Sequence, residues 1–368
     1  MTPFGLYIDF PFCIARCAFC AFNVQGFREG ISERYRLALR KELALRALHG
    51  VGDGREVVSL YLGGGTPTRY SAQVITEIVS SCHQYFRFRS DAEITIEAHP
   101  ATMTIAALRE IREGVNRLSM GVQSFSDAYL TLLGRNHTAK EAIAAFDMAR
   151  KAGFDNIGID LIYALPNQSL GGWTETLQSA IDLGPEHISI YCLSIEEGTL
   201  FHKRGVLLPS EEEQVAQYEL AQRVLCEAGY QQYEISNFSK AGFTSKHNLL
   251  YWNRAETLGI GLSAHSYLNN EHIENTASII SYCEQVEAQH IPIQRVTPVG
   301  IEEAHTDRII FGLRKREGIK ITDLHWLPKH EQTANLLIES GLLVAEEDRI
   351  CLTPRGMLLA DQVAEAFL

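Results

Sequence analysis

The sequence CIARCAFC (13–20) is separated by two residues from the preceding GLYIDF (5–10), a short apolar run typical of a buried strand. It brings Cys13, Cys17 and Cys20 into one loop. Three thiolates can hold three irons of a 4Fe–4S cluster, which leaves the fourth iron without a protein ligand and open to a small molecule. We therefore predict an iron–sulfur cluster on this loop.

Two other interpretations of these cysteines stay open. A zinc ion takes four ligands, and the next candidates along the chain are His49 and Cys82, so zinc would need a distant fourth ligand. The alternative is a set of free, buried thiols. The cluster ranks above both, because a tight group of cysteines in a reducing compartment is typical of metal binding. The remaining cysteines are expected to be buried small hydrophobic residues; they are Cys82, Cys192, Cys226, Cys283 and Cys351.

The composition of the 368-residue chain, 46% hydrophobic and 21% charged, is that of an ordinary packed protein. The net charge of -12 disfavours non-specific nucleic-acid binding and docking on anionic lipid. No apolar run reaches the roughly 18–20 residues that span a bilayer. The N-terminus has no basic region typical of a secretion signal, so we expect a cytoplasmic location.

Short β-rich runs alternate with amphipathic helical stretches over the first half of the chain. About six strands in this alternation imply parallel strands with right-handed crossovers. We predict an α/β fold with a partial (β/α)6-type barrel over residues 1–200, a barrel extension over 201–292 and a small C-terminal helical module over 293–368. Three helices, the hairpin LLVAEEDRICLT (342–353) and a final helix give this module a winged-helix-like order, but its acidic hairpin tip argues against DNA binding.

The glycine-rich segment GGGTPT (63–68) follows the predicted strand VSLYL (58–62). Glycines allow a backbone to approach a ligand closely with free N–H groups. They equally suit a tight strand-to-helix turn. From these residues alone, a ligand-binding segment and a tight turn are equally well supported.

The cysteine loop, with Phe19 just before its last cysteine, resembles the CxxxCxxC motif of the radical S-adenosylmethionine (SAM) superfamily. The resemblance implies that the open iron chelates the amino and carboxylate groups of SAM. One-electron reduction then breaks a C–S bond and gives a 5′-deoxyadenosyl radical, a chemistry that belongs to the cofactor. It also implies that the GGGTP segment holds the methionyl amino group of SAM.

Polar residues at the ends of the later strands extend the resemblance to the coproporphyrinogen dehydrogenase-like (HemN-like) branch of the superfamily, over nearly the whole chain. Each of these residues taken singly is equally consistent with a solvated loop or a satisfied buried polar group. The resemblance implies SAM contacts at Tyr7, Gly64, Gly65, Thr66, Glu97, Gln123, Arg135 and Asp160.

The segment SKHNLLYW (245–252) contains the HNxxYW motif that is typical of the HemW branch, the heme chaperones. The resemblance implies heme binding near His247, with Tyr251 and Trp252 beside the porphyrin, since a neutral imidazole is a good axial ligand. The alternative is that His247 caps a core network beside two aromatic rings. Two features separate the chain from the dehydrogenases: Phe22 stands where they have a further cysteine, and the segment before the first strand is short.

The resemblance therefore implies a heme chaperone with a 4Fe–4S cluster, SAM and heme as cofactors. Its implied partners are heme, acceptor heme proteins of respiration, an electron donor if SAM is cleaved, and a second copy of the chain. The expected location is the cytoplasm or its membrane surface. An oxygen-independent coproporphyrinogen III oxidase, a HemN-like radical SAM methyltransferase and a zinc or interaction protein are the alternatives. Departures from the family pattern are Asp9 at a position usually held by His, Ala164 and Cys192.

Overall fold

The computed structural model describes residues 1–323 and 327–368, and strands alternate with helices through most of this part of the chain. The strands are β1 (Thr2–Phe10), β2 (Phe12–Cys13), β3 (Gln25–Gly26), β4 (Arg55–Gly64), β5 (Phe88–Ala98), β6 (Arg117–Gln123), β7 (Ile157–Tyr163), β8 (His187–Cys192), β9 (Gln231–Gln232), β10 (Asn237–Ser239), β11 (Thr257–Ile260), β12 (His265–Leu268), β13 (Glu271–Asn275), β14 (Ile293–Pro298), β15 (Ile319–Lys320), β16 (Leu343–Glu346) and β17 (Arg349–Leu352). The helices are α1 (Glu29–Leu48), α2 (Ala72–Tyr85), α3 (Ile105–Arg112), α4 (Asp127–Leu132), α5 (Ala139–Lys151), α6 (Leu170–Leu183), α7 (Leu200–Arg204), α8 (Glu211–Glu227), α9 (Lys246–Trp252), α10 (Ile279–Glu287), α11 (Ile301–Leu313), α12 (Pro328–Glu339), α13 (Pro354–Leu358) and α14 (Ala360–Phe367).

Strands β1, β4, β5, β6, β7 and β8 lie side by side in this order and run parallel. Helices connect them, so the predicted partial (β/α)6 barrel is confirmed. The period-2 pattern of β1 explains its two faces: Phe4, Leu6 and Ile8 are fully buried in the main hydrophobic core. Tyr7 and Asp9 alternate with them and line a cavity on the other face.

The sheet extends past β1 with four strands that the sequence pattern did not indicate. β11 runs parallel to β1, and β12, β13 and β14 continue the sheet in antiparallel order. The glycine-rich composition of residues 258–270 obscured β11 and β12. β14 pairs with β13, so the six residues Ile293–Pro298 form the last strand at this edge of the sheet.

Helix α9, which carries the HNxxYW motif, packs on β1 and β4. Gly5 on β1 makes this approach possible: a Cβ there would lie 2.7 Å from Leu250 Cδ1 and 3.4 Å from His247 Cε1. Ser245 caps the helix through its hydroxyl, which accepts from the N–H of Asn248. The motif is therefore held at the inner face of the barrel strands.

The C-terminal module has its own small hydrophobic core, built by α11, α12, α14 and the strands around them. Strands β15, β17 and β16 form a three-stranded sheet, and the predicted hairpin with an acidic turn is β16–β17, with Glu347 at a φ of 52°. In the described residues, α11 and α12 precede this hairpin, with a 3-10 turn at Ile321–Asp323 rather than a third helix.

A buried ionic group joins α1 to the sheet extension. Glu42 and Arg46 form an ion pair at 3.0 Å with side chains that are 0% and 3% exposed. Glu42 also accepts from the Tyr282 hydroxyl (2.7 Å) and from the Gly261 N–H (3.0 Å), and Asn275 bonds to both members of the pair. Further hydrogen bonds offset the desolvation of a buried ion pair, and both members of this pair make them.

The scattered cysteines behave in two ways. Cys82, Cys283 and Cys351 are buried, as expected, but Cys192 and Cys226 are exposed. The expectation was wrong for these two because Cys192 ends β8 at the barrel mouth and Cys226 lies on the outer face of α8. Within the described residues, no helix combines the length and the apolar character needed to cross a membrane.

Candidate functional site

Three cysteines line one cavity of about 430 Å³ at the carboxyl ends of the parallel strands, which we call the cysteine cavity. The loop that carries Cys13, Cys17 and Cys20 is anchored on both sides: the N–H of Ala18 donates to Leu133 O (2.9 Å) and the N–H of Phe201 donates to Ala18 O (3.0 Å). The loops at this end of β/α barrels are the usual place for a functional site. The fold thus presents all three thiols to one space.

Burial opposes ionisation of two of these thiols. It raises the pKa of Cys13 to about 11 and also raises the pKa of Cys20. Thr66 partly offsets this effect at Cys13, since Thr66 Oγ1 lies 3.6 Å from Cys13 Sγ. Arg135 Nη1 lies 3.4 Å from Cys17 Sγ. A bound metal centre would supply the positive charge that holds the thiolate form.

The glycine-rich segment closes the cavity beside the cysteine loop. A Cβ on Gly65 would lie 2.7 Å from Phe10 O and 3.0 Å from Cys13 Sγ, so only glycine fits there. The N–H groups of Gly65 and Thr66 donate to Phe10 O (2.8 Å) and Phe12 O (3.0 Å). These two N–H groups therefore hold the cysteine loop in place.

Polar side chains from three strands, β5, β6 and β7, and from the loop between α4 and α5 complete the wall. Glu97 accepts from the Tyr61 hydroxyl (2.9 Å), and burial together with the nearby Asp160 raises the pKa of Glu97 to about 7. Burial likewise raises the pKa of Asp160. Arg135 donates to Gly121 O (2.6 Å), and Gln123 has a φ of 69°, a conformation uncommon outside glycine. A strained residue at a cavity wall is typical of a functional site.

The structure brings together seven of the eight residues expected to contact SAM. Gly64, Gly65, Thr66, Glu97, Gln123, Arg135 and Asp160 all line the cysteine cavity. Tyr7 does not: its ring stacks on Tyr61 with centroids 6.1 Å apart and lines a different cavity. Sequence reasoning missed His99, Ser119, Tyr191 and the exposed Cys192, which also line the cysteine cavity. Their positions on or just after barrel strands were the available signal.

His247 lies in a polar network beneath that second cavity. It is 2% exposed, its Nδ1 lies 3.0 Å from Ser59 Oγ and its Nε2 lies 3.1 Å from the Tyr251 hydroxyl. Burial lowers the pKa of His247 to about 3, so the imidazole is neutral. Its ring is stacked on Tyr61 with centroids 5.0 Å apart. A direct bond from this imidazole to a heme iron would require the Tyr251 hydroxyl to leave Nε2.

The second cavity, of about 540 Å³, lies between β1, α9, β12 and α11, and we call it the α9 cavity. Tyr251 and Trp252 of the HNxxYW motif line it, together with Tyr7 and Asp9. It shares Phe22, Val24 and Gly64 with the cysteine cavity. The two cavities are therefore neighbours, separated by the end of β4 and the cysteine loop.

The residues present fit a 4Fe–4S cluster. Such a cluster takes one thiolate on each of three irons, and three free thiols from one loop line one space beside a glycine whose Cβ would fill it. Among the described residues, no group of three or more His, Cys, Asp or Glu side chains converges on a position for a single metal ion. The wall also carries buried acidic groups and an arginine with an unpartnered Nε among the described residues, which suit the ammonium and carboxylate of an amino acid.

Comparison with known families defines the class of the protein. Residues 7–180 match the model of the Radical SAM superfamily, and residues 302–359 match the HemN C-terminal domain. The solved structure of coproporphyrinogen III oxidase (HemN) from Escherichia coli, a radical SAM enzyme, superposes with a TM-score of 0.87 over 100% of this chain and 90% of that chain, at 26% identity. Fold and site together are those of a HemN-like radical SAM protein.

The curated relatives narrow the assignment. The heme chaperone HemW of Bacillus subtilis is 33% identical over 98% of both chains. The heme chaperone HemW of Escherichia coli is 38% identical over 72% of this chain and 70% of its own length. The chain belongs to the HemW family of radical SAM proteins.

Proposed function

We propose that the protein is a heme chaperone that binds a 4Fe–4S cluster, SAM and heme, and delivers heme to acceptor proteins. The observation that carries this proposal is the α9 cavity, which lies directly beside the cysteine cavity and is lined by Tyr251 and Trp252 of the HNxxYW motif. A cavity of about 540 Å³ with mainly apolar walls is of the size and character that bind cofactor-sized molecules.

Cys13, Cys17 and Cys20 would hold the cluster, and the polar wall from Gly64 to Asp160 would hold SAM. When bound, the two would supply one-electron reduction chemistry at the barrel mouth. The chain itself contributes orientation: Thr66 and Arg135 donate toward two of the sulfurs, and burial keeps Glu97 and Asp160 in contact with few water molecules.

His247 supports heme binding in this proposal through Tyr251. The hydroxyl of Tyr251 is bonded to His247 Nε2, and the ring of Tyr251 lines the α9 cavity. The imidazole thereby fixes the orientation of a ring that would contact the porphyrin. Replacement of His247 by Ala is expected to leave the cluster intact and to weaken heme binding.

The partners belong to the same proposal. Acceptors are heme proteins of respiration, an electron donor serves the cluster if SAM is cleaved, and a second copy of the chain associates when the cluster is present. The location that suits this role is the cytoplasm and its membrane surface. The net charge of -12 gives the surface no general affinity for nucleic acid.

The experiment is an anaerobic heme titration of the cluster-reconstituted protein, followed by the Soret band. Saturable binding by the unmodified protein, weakened in His247→Ala with unchanged cluster absorbance, supports the proposal. Transfer of the bound heme to an apo heme protein, measured by the acceptor's own Soret spectrum, tests delivery. An intact cluster without saturable heme binding overturns it.

A second candidate is oxygen-independent coproporphyrinogen III oxidase activity. The specific observation in its favour is the structural likeness to that enzyme over the whole chain, at a TM-score of 0.87. Against it stands Phe22, 66% exposed at the position where the dehydrogenases have a further cysteine. Formation of protoporphyrinogen from coproporphyrinogen under anaerobic, reducing conditions would establish this activity in place of the chaperone role.

A further inference from the structure

Arg254 is an unusual member of the α9 cavity wall. It lies two residues after the last residue of α9, Trp252, and its side chain is 3% exposed. Its Nε donates to Asp307 Oδ2 on α11 (2.9 Å), and its Nη1 donates to the Tyr267 hydroxyl on β12. Among the described residues, its Nη2 has no hydrogen-bond partner. A buried guanidinium with an unused donor is costly unless a ligand satisfies it.

The surrounding contacts hold this guanidinium in one place. It stacks over the Tyr267 ring, 4.2 Å from the ring centroid, while Asp307 and the Tyr267 hydroxyl fix two of its three nitrogens. An arginine that is already positioned loses little side-chain freedom when a further acceptor arrives. The acceptor that fits a guanidinium best is a carboxylate.

The rest of the cavity restricts the kind of carboxylate ligand. Its walls are aromatic and apolar at Tyr251, Trp252 and Phe311, and the imidazoles of His265 and His272 line it from the β12–β13 hairpin. Flat apolar surface, an arginine at the wall and imidazoles able to ligate a metal are together the complement of a metal tetrapyrrole that carries acidic side chains.

We propose that Arg254 donates a hydrogen bond from Nη2 to a propionate carboxylate of the heme bound in the α9 cavity. This inference rests on the proposed chaperone function and makes it specific. It places the ligand beside Tyr251 and Trp252, with His247 behind Tyr251 rather than bonded to the iron.

The test compares heme with heme dimethyl ester, in which both propionates are neutral, by Soret titration of the cluster-loaded protein. A charge-assisted hydrogen bond predicts that the unmodified protein binds heme about tenfold to a hundredfold more tightly than the ester. Arg254→Gln is expected to lose this preference, so that the two dissociation constants agree within about twofold. Because both ligands are compared on the same variant, a general loss of stability does not mimic the result.

Two matched variants complete the design. Tyr267→Phe removes the hydroxyl that accepts from Nη1 but keeps the guanidinium, so it should retain the preference for heme. Arg34→Gln removes an arginine from an exposed ion pair with Glu287 and should behave as the unmodified protein. Three results would each overturn the role of Arg254 while the chaperone function stands. They are equal binding of heme and the ester by the unmodified protein, a preference for heme over the ester that survives Arg254→Gln, and a preference that disappears in Tyr267→Phe. Absence of saturable heme binding overturns both.

Discussion

Substitution of Gly64 by Ala tests how tightly the end of β4 is fitted against Asp9. Gly64 has a φ of 101°, and a Cβ there would lie 2.2 Å from Asp9 Oδ1 and 3.1 Å from Asp9 Cγ. The backbone conformation alone costs a residue with a Cβ about 1–3 kcal/mol. The overlap with Asp9 adds about 1–3 kcal/mol, as for other overpacked buried sites. We expect Gly64→Ala to lower the free energy of unfolding by about 2–6 kcal/mol.

Removal of the Asp9 carboxyl group should abolish the part of this cost that comes from overlap with Asp9. In an Asp9→Ala background, the two atoms closest to the new Cβ are absent, and the next is Phe10 N at 3.3 Å. Gly64→Ala should then cost only the conformational term, which gives a coupling free energy of about 1–3 kcal/mol between the two positions. The loss of other Asp9 contacts cancels, because it occurs in both members of the comparison.

The assay is urea unfolding of the reduced protein, followed by far-UV circular dichroism, for the two single variants and the double variant. Gly153→Ala is the matched control: Gly153 has a φ of 97° and a Cβ there would meet nothing within 4 Å, so it isolates the conformational term. Equal costs of Gly64→Ala in both backgrounds, within about 0.5 kcal/mol, would refute the inference that Asp9 occupies this space.

Three further predictions follow from the buried groups. Glu42→Gln should destabilise the fold by about 3–5 kcal/mol in the same urea assay because it leaves a buried arginine without its partner, whereas Glu287→Gln in an exposed pair should change it by less than about 1 kcal/mol. The pKa of Glu97 is raised from 4.5 to about 7, so between these pH values the folded state holds a proton on Glu97 that the unfolded state has lost. The free energy of unfolding should therefore fall by about 3 kcal/mol as the pH rises from about 4.5 to 7. Urea unfolding across this pH range should show a smaller fall for Glu97→Gln. Arg135→Gln removes the donor that lies 3.4 Å from Cys17 Sγ, so a chelator should remove a reconstituted cluster faster from this variant than from the unmodified protein. If the cluster absorbance is lost at the same rate from both proteins, Arg135 does not have this role.

The barrel was predictable because each of its six parallel strands is a separate apolar run followed by a helical pattern. The sheet extension was not, since β11 lies in a glycine-rich stretch and pairs with β1, a strand at the other end of the barrel sequence. Register between strands remote in sequence depends on tertiary contacts that periodicity does not encode.

In the site, too, the residues identified by sequence spacing could be predicted, whereas the surroundings set by packing between distant elements could not. The cysteine loop and the strand-end residues were identified by spacing and position, and seven of the eight expected SAM residues share one cavity with the cysteines. The environment of Tyr7 and His247 depends on how α9 docks on β1 and β4, which brings Ser59 and Tyr251 to the two imidazole nitrogens. Arg254 carries no motif, and only its burial and its unpartnered Nη2 within the described structure distinguish it.

The adjacency of the two cavities gives Phe22 a physical meaning. It lines both cavities, beside Gly64 and Val24, at the position where the dehydrogenases have a further cysteine. A thiol there would offer an additional soft ligand to a metal in either cavity. A phenyl ring offers only apolar surface, so in the proposed complex the cluster keeps its three thiolates and the neighbouring tetrapyrrole meets no sulfur ligand from this wall. Release of the cargo to an acceptor is easier when fewer strong bonds hold it, and the substitution of Cys by Phe is in this sense consistent with a carrier.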